Sequence, residues 1–593
     1  MSNIVSRFCQ TAIRLDSQTA VKRKINGKWR SHSWREYHEK VESLAYGLKS
    51  LGFNKGDRLA IISDTRFEWA ATDLACLGLG GVLVPIYASN SKEDIEYILN
   101  NCGAKVLVIE NPKLLEKFQQ VATQCKKVEK VVLIDTPDNT EYESWESIQQ
   151  KAEEGFLAQQ AEQVSIDDIA SIVYTSGTTG KPKGVVLSHK QIMSEITDAF
   201  DVFNVTQDDV SLSFLPFSHI FGRCEHWGHA YVGFLMAYAE NIESLRDNLV
   251  EIQPTFLVAV PRIFEKIYNG VISAAEASPI KHRLFLWALD LGKKVSWHKQ
   301  YKEQIPMKVL LEYKLAQKLV FSKLMEKLGG KVRFAVSGGA PLNGDIAEFF
   351  HAAGLLILEG YGLTETCAAV SLNTHLEYKF GSVGIPLGNS EFKLAEDGEL
   401  LVKSDKVMIE YYNNPEATKE TFTEDGFFKT GDVAQIDDKG FVTITDRKKD
   451  LIKTAGGKYV APQKLEKLLK SSKYISNVLI HGDKKKYIVA LVTLEEEEIL
   501  KFAKEKQIEY GSFKELVDKN EIYQLIRRHV AEVNLDLASY ESIKAFHILD
   551  HDFTIEGGQL TPSLKVKRKH CDNLYTEQIQ KLFGNEASQN VSY

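Results

Sequence analysis

Short apolar runs that stop at loops of small residues recur through the first three-quarters of the chain. "DRLAIIS" (57–63), "AKVLVIE" (104–110), "ASIVYTS" (170–176), "PTFLVAVP" (254–261) and "VRFAVSGG" (332–339) share this form. A continuous apolar run suits a strand buried on both faces, as in parallel sheets. Helix-period segments lie between them. In "SWREYHEKVESLAYGLKSLG" (33–52), Leu44, Leu48 and Leu51 share one side and Gly52 is the stop. This alternation restricts the fold to an α/β architecture, in which ligands gather at the carboxyl ends of strands. At 593 residues the chain is too long for one core. The pattern changes after about residue 446: "YISNVLIHG" and "YIVALVTL" read as a strand pair joined by a "DKKK" turn, with a third strand near Ala545–Leu549. The expected organisation is a large α/β domain (1–446) followed by a small α+β domain (447–593).

"YTSGTTGKPKGVVLSHK" (174–190) sits between two of these apolar runs. A Walker-type phosphate loop needs two glycines five apart and a Lys followed by Ser or Thr. Here Gly177 and Gly180 are three apart, and Lys181 is followed by Pro182. Proline cannot continue a helix interior, so the strand–loop–helix cradle is excluded. What remains is a hairpin of hydroxyls (Thr175, Ser176, Thr178, Thr179) and backbone amides able to wrap a triphosphate, with glycine permitting the close approach.

Four further segments follow in order: "SGGAPL" (337–342), "EGYGLTET" (359–366), "KTGDVAQIDDKGFVTITDRKKDLIKTAGGKYVAP" (429–462) and "LTPSLKVKRK" (560–569). With the hydroxyl loop they resemble the signatures of the adenylate-forming superfamily, and the resemblance covers nearly the whole chain. "PTFLVAVPRIFEKIY" (254–268), the helical insert after it and "TPSLKVKRK" look like the long-chain fatty acyl-CoA synthetases within it. The resemblance implies a two-step reaction with ATP, Mg²⁺ and coenzyme A, in which a fatty acid becomes acyl-AMP and then acyl-CoA. It is the expectation of an AMP-forming long-chain fatty acid:CoA ligase acting in lipid metabolism.

The same resemblance assigns roles. The loop Thr175–Lys181 (with Ser176, Gly177, Thr178, Thr179 and Gly180) would bind phosphates. Gly339 and Ala340 would lie against adenine and the acyl carboxylate. Glu359, Gly360, Tyr361 and Gly362 would form the adenine pocket, with Tyr361 stacking, Thr364 on phosphate and Glu365 on the metal. Asp432 would accept both ribose hydroxyls, since one carboxylate takes two hydrogen bonds, and Arg447 would approach the ribose and phosphates. Lys449 would be the hinge, Gly456 and Gly457 would border the pantetheine tunnel, and Lys565 would be the catalytic lysine. Most superfamily members have Gly before that lysine. This chain has Leu564, the long-chain form, and Lys567 and Lys569 compete for the role. His219 in "LPFSHIFGR" aligns with the acyl tunnel. Trp227 in "CEHWGHAY" has no assignable role.

Other classes fit less well. A carrier-protein acyl-AMP ligase needs no coenzyme A site, whereas "TAGGKY" leaves one open. A non-catalytic nucleotide- or lipid-binding protein has no use for the full set Glu365, Asp432, Arg447 and Lys565. The net charge of −7 argues against a general nucleic-acid partner. Seven scattered cysteines without ligand spacing suggest a reduced, cytoplasmic setting. The most apolar stretch, "LACLGLGGVLVPIYA" (74–88), is shorter than the ~20 residues of a span and reads as a buried strand with a turn. Between Lys281 and Lys327, eleven Lys or Arg face four Asp or Glu. Leu284, Trp287, Ala288 and Leu291, and again Leu311, Leu315 and Leu319, recur there at helical spacing. This combination suggests peripheral contact with the inner face of a membrane.

Overall fold

The computed structural model describes residues 2–137, 140–175, 181–555, 557–561 and 566–584. The chain divides into two compact units. One takes Met1–Lys393, Leu401–Lys429 and Asp437–Val442; the other takes Leu394–Leu400, Thr430–Ile436 and Thr443–Tyr593.

The larger unit is built on three sheets. In an eight-stranded sheet, the parallel strands Arg58–Ile62, Val82–Ile86 and Val106–Ile109 are fully or largely buried, as their unbroken apolar runs require, and Lys130–Leu133 beside them buries only its last two residues. Strand Ile169–Thr175 lies beside Val82–Ile86 and pairs antiparallel with Lys183–Ser188, so the hydroxyl loop joins the two strands of a hairpin. A five-stranded sheet runs Phe256–Ala259, Phe334–Ser337 and Leu356–Leu363 in parallel, then turns back through Ala368–Leu372. A four-stranded sheet completes the unit.

Helices are started by side chains the sequence supplies. Ser33 and Glu36 form a reciprocal cap on Trp34–Ser50, which buries Leu44 and Leu48. Ser188 and Gln191 do the same for His189–Phe203, so that helix begins directly on the strand leaving the hairpin.

One expectation needs correction. Residues 74–88 are the last turns of helix Phe67–Gly78, a turn, and strand Val82–Ile86. Every residue of that helix is buried, so its apolar run merges with the strand's and no periodicity separates them. In the insert, helices Pro279–Gln300 and Met307–Ala316 form as expected, and Ala288 and Leu291 turn inward. Leu311, Leu315 and Leu319, however, face outward, while Tyr313, Ala316, Phe321 and Leu324 supply the buried side through a π turn at Gln317–Phe321. The segment therefore has two apolar faces. No helix among the described residues is long and apolar enough to cross a membrane.

The smaller unit carries a three-stranded sheet in which Ile475–His481 pairs antiparallel with Ile488–Leu494, itself parallel to Ile543–Ile548. Leu465 and Leu469 of helix Pro462–Leu469, and Ile522, Ile526 and Val530 of helix Asn520–Leu535, fall at helical spacing in the same buried core as Val478, Ile480 and Ile488.

Candidate active site

In the larger unit, "EGYGLTET" forms the end of strand Leu356–Leu363 and a 3₁₀ turn, Thr364–Thr366. The chain then reverses onto Ala368–Leu372, pairing Gly362 with Ala369 and Leu363 with Ala368. A Cβ at Gly362 would overlap the carbonyl oxygen of Ala368, so only glycine permits this approach. Cys367 and Ala368 take φ of 53° and 96°, left-handed values that non-glycine residues rarely adopt. Hydrogen bonds hold the reversal. The Thr366 hydroxyl accepts from the Leu363 amide at 2.8 Å and reaches the Ala368 carbonyl at 2.9 Å, and the Ala369 amide donates to Glu195 Oε1 at 2.9 Å.

Glu365, at the tip of this turn, is half-buried. The Tyr411 hydroxyl donates to its Oε1 at 2.8 Å, and the Met408 amide donates to its backbone carbonyl at 2.7 Å. Tyr411 lies on the two-residue strand Glu410–Tyr411, which pairs with Val185 and Val186 of the hairpin. Lys183, at the hairpin's base, sets its ammonium 4.7 Å from the centre of the Tyr411 ring. The hairpin that carries the hydroxyl loop and the turn that carries Glu365 are thus tied through one tyrosine, a residue the sequence reading missed. Burial, with the Glu365 carboxylate beside it, raises the Tyr411 phenol, so it remains a donor.

Ser176, Gly177, Thr178, Thr179 and Gly180 lie outside the described residues. Of the loop's flanks, the Thr175 hydroxyl donates to the Lys183 carbonyl at 3.5 Å, and the exposed Lys181 points its ammonium at Tyr97, 5.1 Å from the ring centre. Gly339 and Ala340 are exposed just past strand Phe334–Ser337, and Gly339 takes φ of 82°, where a Cβ would meet only the Val260 side chain at 3.8 Å. Glu359 and Gly360 lie on the strand that carries Tyr361; Glu359 is buried and Tyr361 half-buried. Thr364 is half-buried in the turn.

His219 caps helix Ile220–Val232, its Nδ1 accepting from the Phe221 amide at 3.2 Å. Arg223, one turn on, lies in a fully buried network. Its guanidinium donates to both oxygens of Asp73 (2.6 and 3.2 Å) and to Ser171 at 2.6 Å, and the Trp227 indole donates to Asp73 at 3.0 Å. Burial works against the Asp73 charge, but Arg223 and His226 outweigh it and hold the carboxyl at about 2. Trp227 is thus a structural partner of Asp73.

The smaller unit brings Asp432 and Arg447 together, with Arg447 Nε 3.3 Å from Asp432 Oδ1. Asp432 is buried, and its amide donates to the Thr430 hydroxyl at 3.1 Å. Glu399 accepts from the Gly431 amide at 2.9 Å and from Lys448 at 2.7 Å, fixing the backbone on either side of the pair. Lys449 follows in an exposed turn. Gly456 and Gly457 form the tip of the small hairpin Ile452–Lys453/Tyr459–Val460, and a Cβ at Gly457 would meet open space. Lys565 lies outside the described residues. Of its basic neighbours, Arg568 is committed to Glu466 (2.5 Å) and to the Ile480 carbonyl (2.8 Å).

In the larger unit a hairpin and an oriented carboxylate are tied through Tyr411, and the smaller unit carries an Asp–Arg pair of its own. Comparison with known proteins supplies the family. Residues 10–412 match the AMP-binding enzyme family and residues 449–587 its C-terminal domain, and the chain belongs to this family. A long-chain-fatty-acid–CoA ligase of Mycobacterium tuberculosis is 35% identical over 568 residues, covering 95% of this chain and 94% of the relative. Long-chain-fatty-acid–CoA ligase 5 of Rattus norvegicus is 30% identical, covering 95% and 85%. Among solved structures, the adenylation domain of a carboxylate reductase from Mycobacterium chelonae superposes with a TM-score of 0.78 at 22% identity, covering 98% of this chain and 91% of that one. Such a likeness establishes the adenylate-forming fold.

Proposed function

We propose that this chain is an AMP-forming ligase that activates a long-chain fatty acid with ATP and passes the acyl group to coenzyme A. The observation that carries the reading is the tie between hairpin and acidic turn through Tyr411, since it holds one carboxylate against the hairpin whose loop would bind a triphosphate. In the first step a fatty-acid carboxylate oxygen attacks the α-phosphorus, and the bond to the bridging oxygen breaks to release pyrophosphate. In the second, the coenzyme A thiol gives up its proton, its sulfur attacks the acyl carbonyl, and AMP leaves with the electron pair. Both partners of the first step are anions, so positioning and charge stabilisation dominate.

Tyr361 would stack on adenine, Thr364 and the loop 175–181 would hold phosphates, and Gly339 and Ala340 would leave room for adenine and the acyl carboxylate. His219 would line the acyl tunnel. Asp432 would take the ribose hydroxyls and Arg447 the neighbouring phosphate. Glu365 fits Mg²⁺, a hard cation that takes one or two protein carboxylates and phosphate oxygens for the rest; bound there, it would neutralise phosphate charge. Its carboxylate is half-buried with one oxygen already oriented by Tyr411. Within the smaller domain, expected from residue 447, Lys565 serves adenylation and Gly456–Gly457 the thiol's approach, with Lys449 as the hinge between the two presentations. Substrate is drawn from a membrane surface, where long-chain acids partition.

Fatty-acid-dependent pyrophosphate release, followed by thioester formation with coenzyme A, tests the activity; transfer only to a carrier protein would overturn the acceptor. Lys565→Ala separates the steps. Adenylate formation should fall by ~10²–10³ or more, while presynthesised acyl-AMP still yields thioester. Equal loss of both steps in a folded variant would refute the assignment.

A further inference from the structure

The helix that begins at Met307 and runs through the π turn to Lys327 displays an outer row of large apolar side chains four residues apart. Met307 is 70% exposed, Leu311 60%, Leu315 51% and Leu319 42%. Positions four apart on a helix are neighbours along one ridge. Exposed lysines interleave with the row: Lys308, Lys314, Lys318, Lys323 and Lys327, against only Glu312 and Glu326 in the same segment. Among the described residues none forms an ion pair with any of these five lysines. The preceding helix, Pro279–Gln300, closes with Trp297 and Tyr301, 47% and 57% exposed, their rings 5.1 Å apart. The short link to Met307 sets these aromatics at the same end of the helix pair as the start of the apolar row.

We propose that this face, Met307 to Lys327 with Trp297 and Tyr301, is the surface by which the protein docks on an anionic lipid bilayer. The chemistry selects that occupant. An amphipathic helix with lysines beside leucines lies in the plane of the interface, with its apolar row below the headgroups and its ammonium groups among the lipid phosphates. Tryptophan and tyrosine favour the same depth. A second copy of the chain is a poor partner, because a two-fold contact would set one lysine row against another. A wholly polar acidic partner would leave the leucines uncovered. The surface is local: the chain as a whole carries −7, so attraction to an anionic leaflet depends on this face being presented. The inference rests on the reading that the substrate is a lipid-borne acid, yet its test is independent of catalysis.

The test is co-sedimentation of the full chain with vesicles of phosphatidylcholine alone or with 30 mol% (roughly, to mimic an anionic leaflet) phosphatidylglycerol, at low and high salt. Binding should require the anionic lipid and weaken with salt. Each lysine near the leaflet contributes roughly fivefold in partitioning, so Lys314→Gln/Lys318→Gln should lose roughly 25-fold. Leu311→Gln/Leu315→Gln should lose roughly tenfold or more, given the apolar surface withdrawn. All four sites are exposed, so both variants should keep the wild-type melting temperature and form thioester on detergent-dispersed fatty acid at the wild-type rate. Equal binding to neutral and anionic vesicles, or unchanged binding by both variants, would overturn the proposal. So would light scattering that shows the wild type dimerising through this face and the variants monomeric. Loss of activity on dispersed substrate by wild type itself would count against the ligase reading and leave the docking result standing.

Discussion

Glu195 offers a quantitative test of how the acidic turn is held. It lies on helix His189–Phe203, fully buried, with Oε1 accepting from the Ala369 amide. Among the described residues no partner reaches its Oε2. Burial raises its carboxyl from 4.5 to about 8, against the opposing influence of Lys406 and the Ala369 N–H, while Asp198 adds to the rise. Lys406 is itself paired with Asp198 at 2.5 Å, and the other titratable groups facing Glu195, the Cys224 and Cys367 thiols, are raised by the same burial. The native state thus keeps a proton that the unfolded chain releases above 4.5. Stability present at low pH is lost as pH rises towards 8, and no further loss follows once both states are ionised.

Glu195→Gln keeps the shape and the acceptor but removes the titration. Between pH 6 and pH 8, moving the carboxyl from 4.5 to about 8 makes the wild type lose about 2–2.5 kcal/mol more than the variant. Glu225, which burial raises to about 7, titrates alike in both proteins and cancels. Urea unfolding followed by tryptophan fluorescence reads the right unit, because all seven tryptophans fall between Trp29 and Trp297. The variant's advantage should grow with pH and vanish near pH 4. Parallel pH profiles, within about 0.5 kcal/mol, would refute a buried, protonated Glu195; a margin of that size is ordinary for a surface substitution.

Three further outcomes are expected. Tyr411→Phe deletes the hydrogen bond to Glu365, worth about 1 kcal/mol, and should raise the Mg²⁺ needed for half-maximal pyrophosphate release roughly fivefold with an unchanged melting curve. Arg223→Met leaves Asp73 buried and uncompensated, which costs about 3–5 kcal/mol; adding Asp73→Leu should recover much of that loss in denaturant titrations. Gly362→Ala forces a methyl into the Ala368 carbonyl and should abolish acyl-AMP formation, while the smaller unit's limited-proteolysis pattern stays as in wild type.

What the sequence disclosed follows from locality. The hairpin strands on either side of the hydroxyl loop, the acidic turn and the Asp432–Arg447 region were each visible in short segments, because a tight reversal needs particular residues at fixed spacing. The strands ending at Thr175 and Ser337 were equally visible, since buried parallel strands carry their signal within five residues. Tyr411 was hidden because a two-residue strand has no periodicity, and its pairing with Val185 is decided by tertiary contacts. Asp73 and Arg223 are 150 residues apart; an aspartate within an apolar run hints at a buried partner, but nothing local names the arginine. The outward face at Leu311, Leu315 and Leu319 obeys the same period as a core face, so pattern alone cannot tell a stripe that meets the protein from one that meets its surroundings.

Two residues that no motif marks, Glu195 and Arg223, share a location. They lie on the helices His189–Phe203 and Ile220–Val232, packed behind the reversal that presents Glu365. Cys224 Sγ approaches the Cys367 carbonyl at 3.7 Å, Glu195 holds the Ala369 amide, and Thr366 binds across the turn. A pair of non-glycine residues at positive φ is unfavourable by ~1–3 kcal/mol each and persists only where the surroundings over-determine it. Here the surroundings are buried polar groups, themselves unfavourable unless satisfied. Local propensity would relax the turn, and a purely apolar core would leave the Ala369 amide without an acceptor. The conflict between local preference and global fold falls at the turn that carries Glu365, the carboxylate we propose for Mg²⁺, and such conflicts are expected at functional sites. Glu365 is therefore placed less by its own segment than by two helices that contribute no ligand-facing motif of their own.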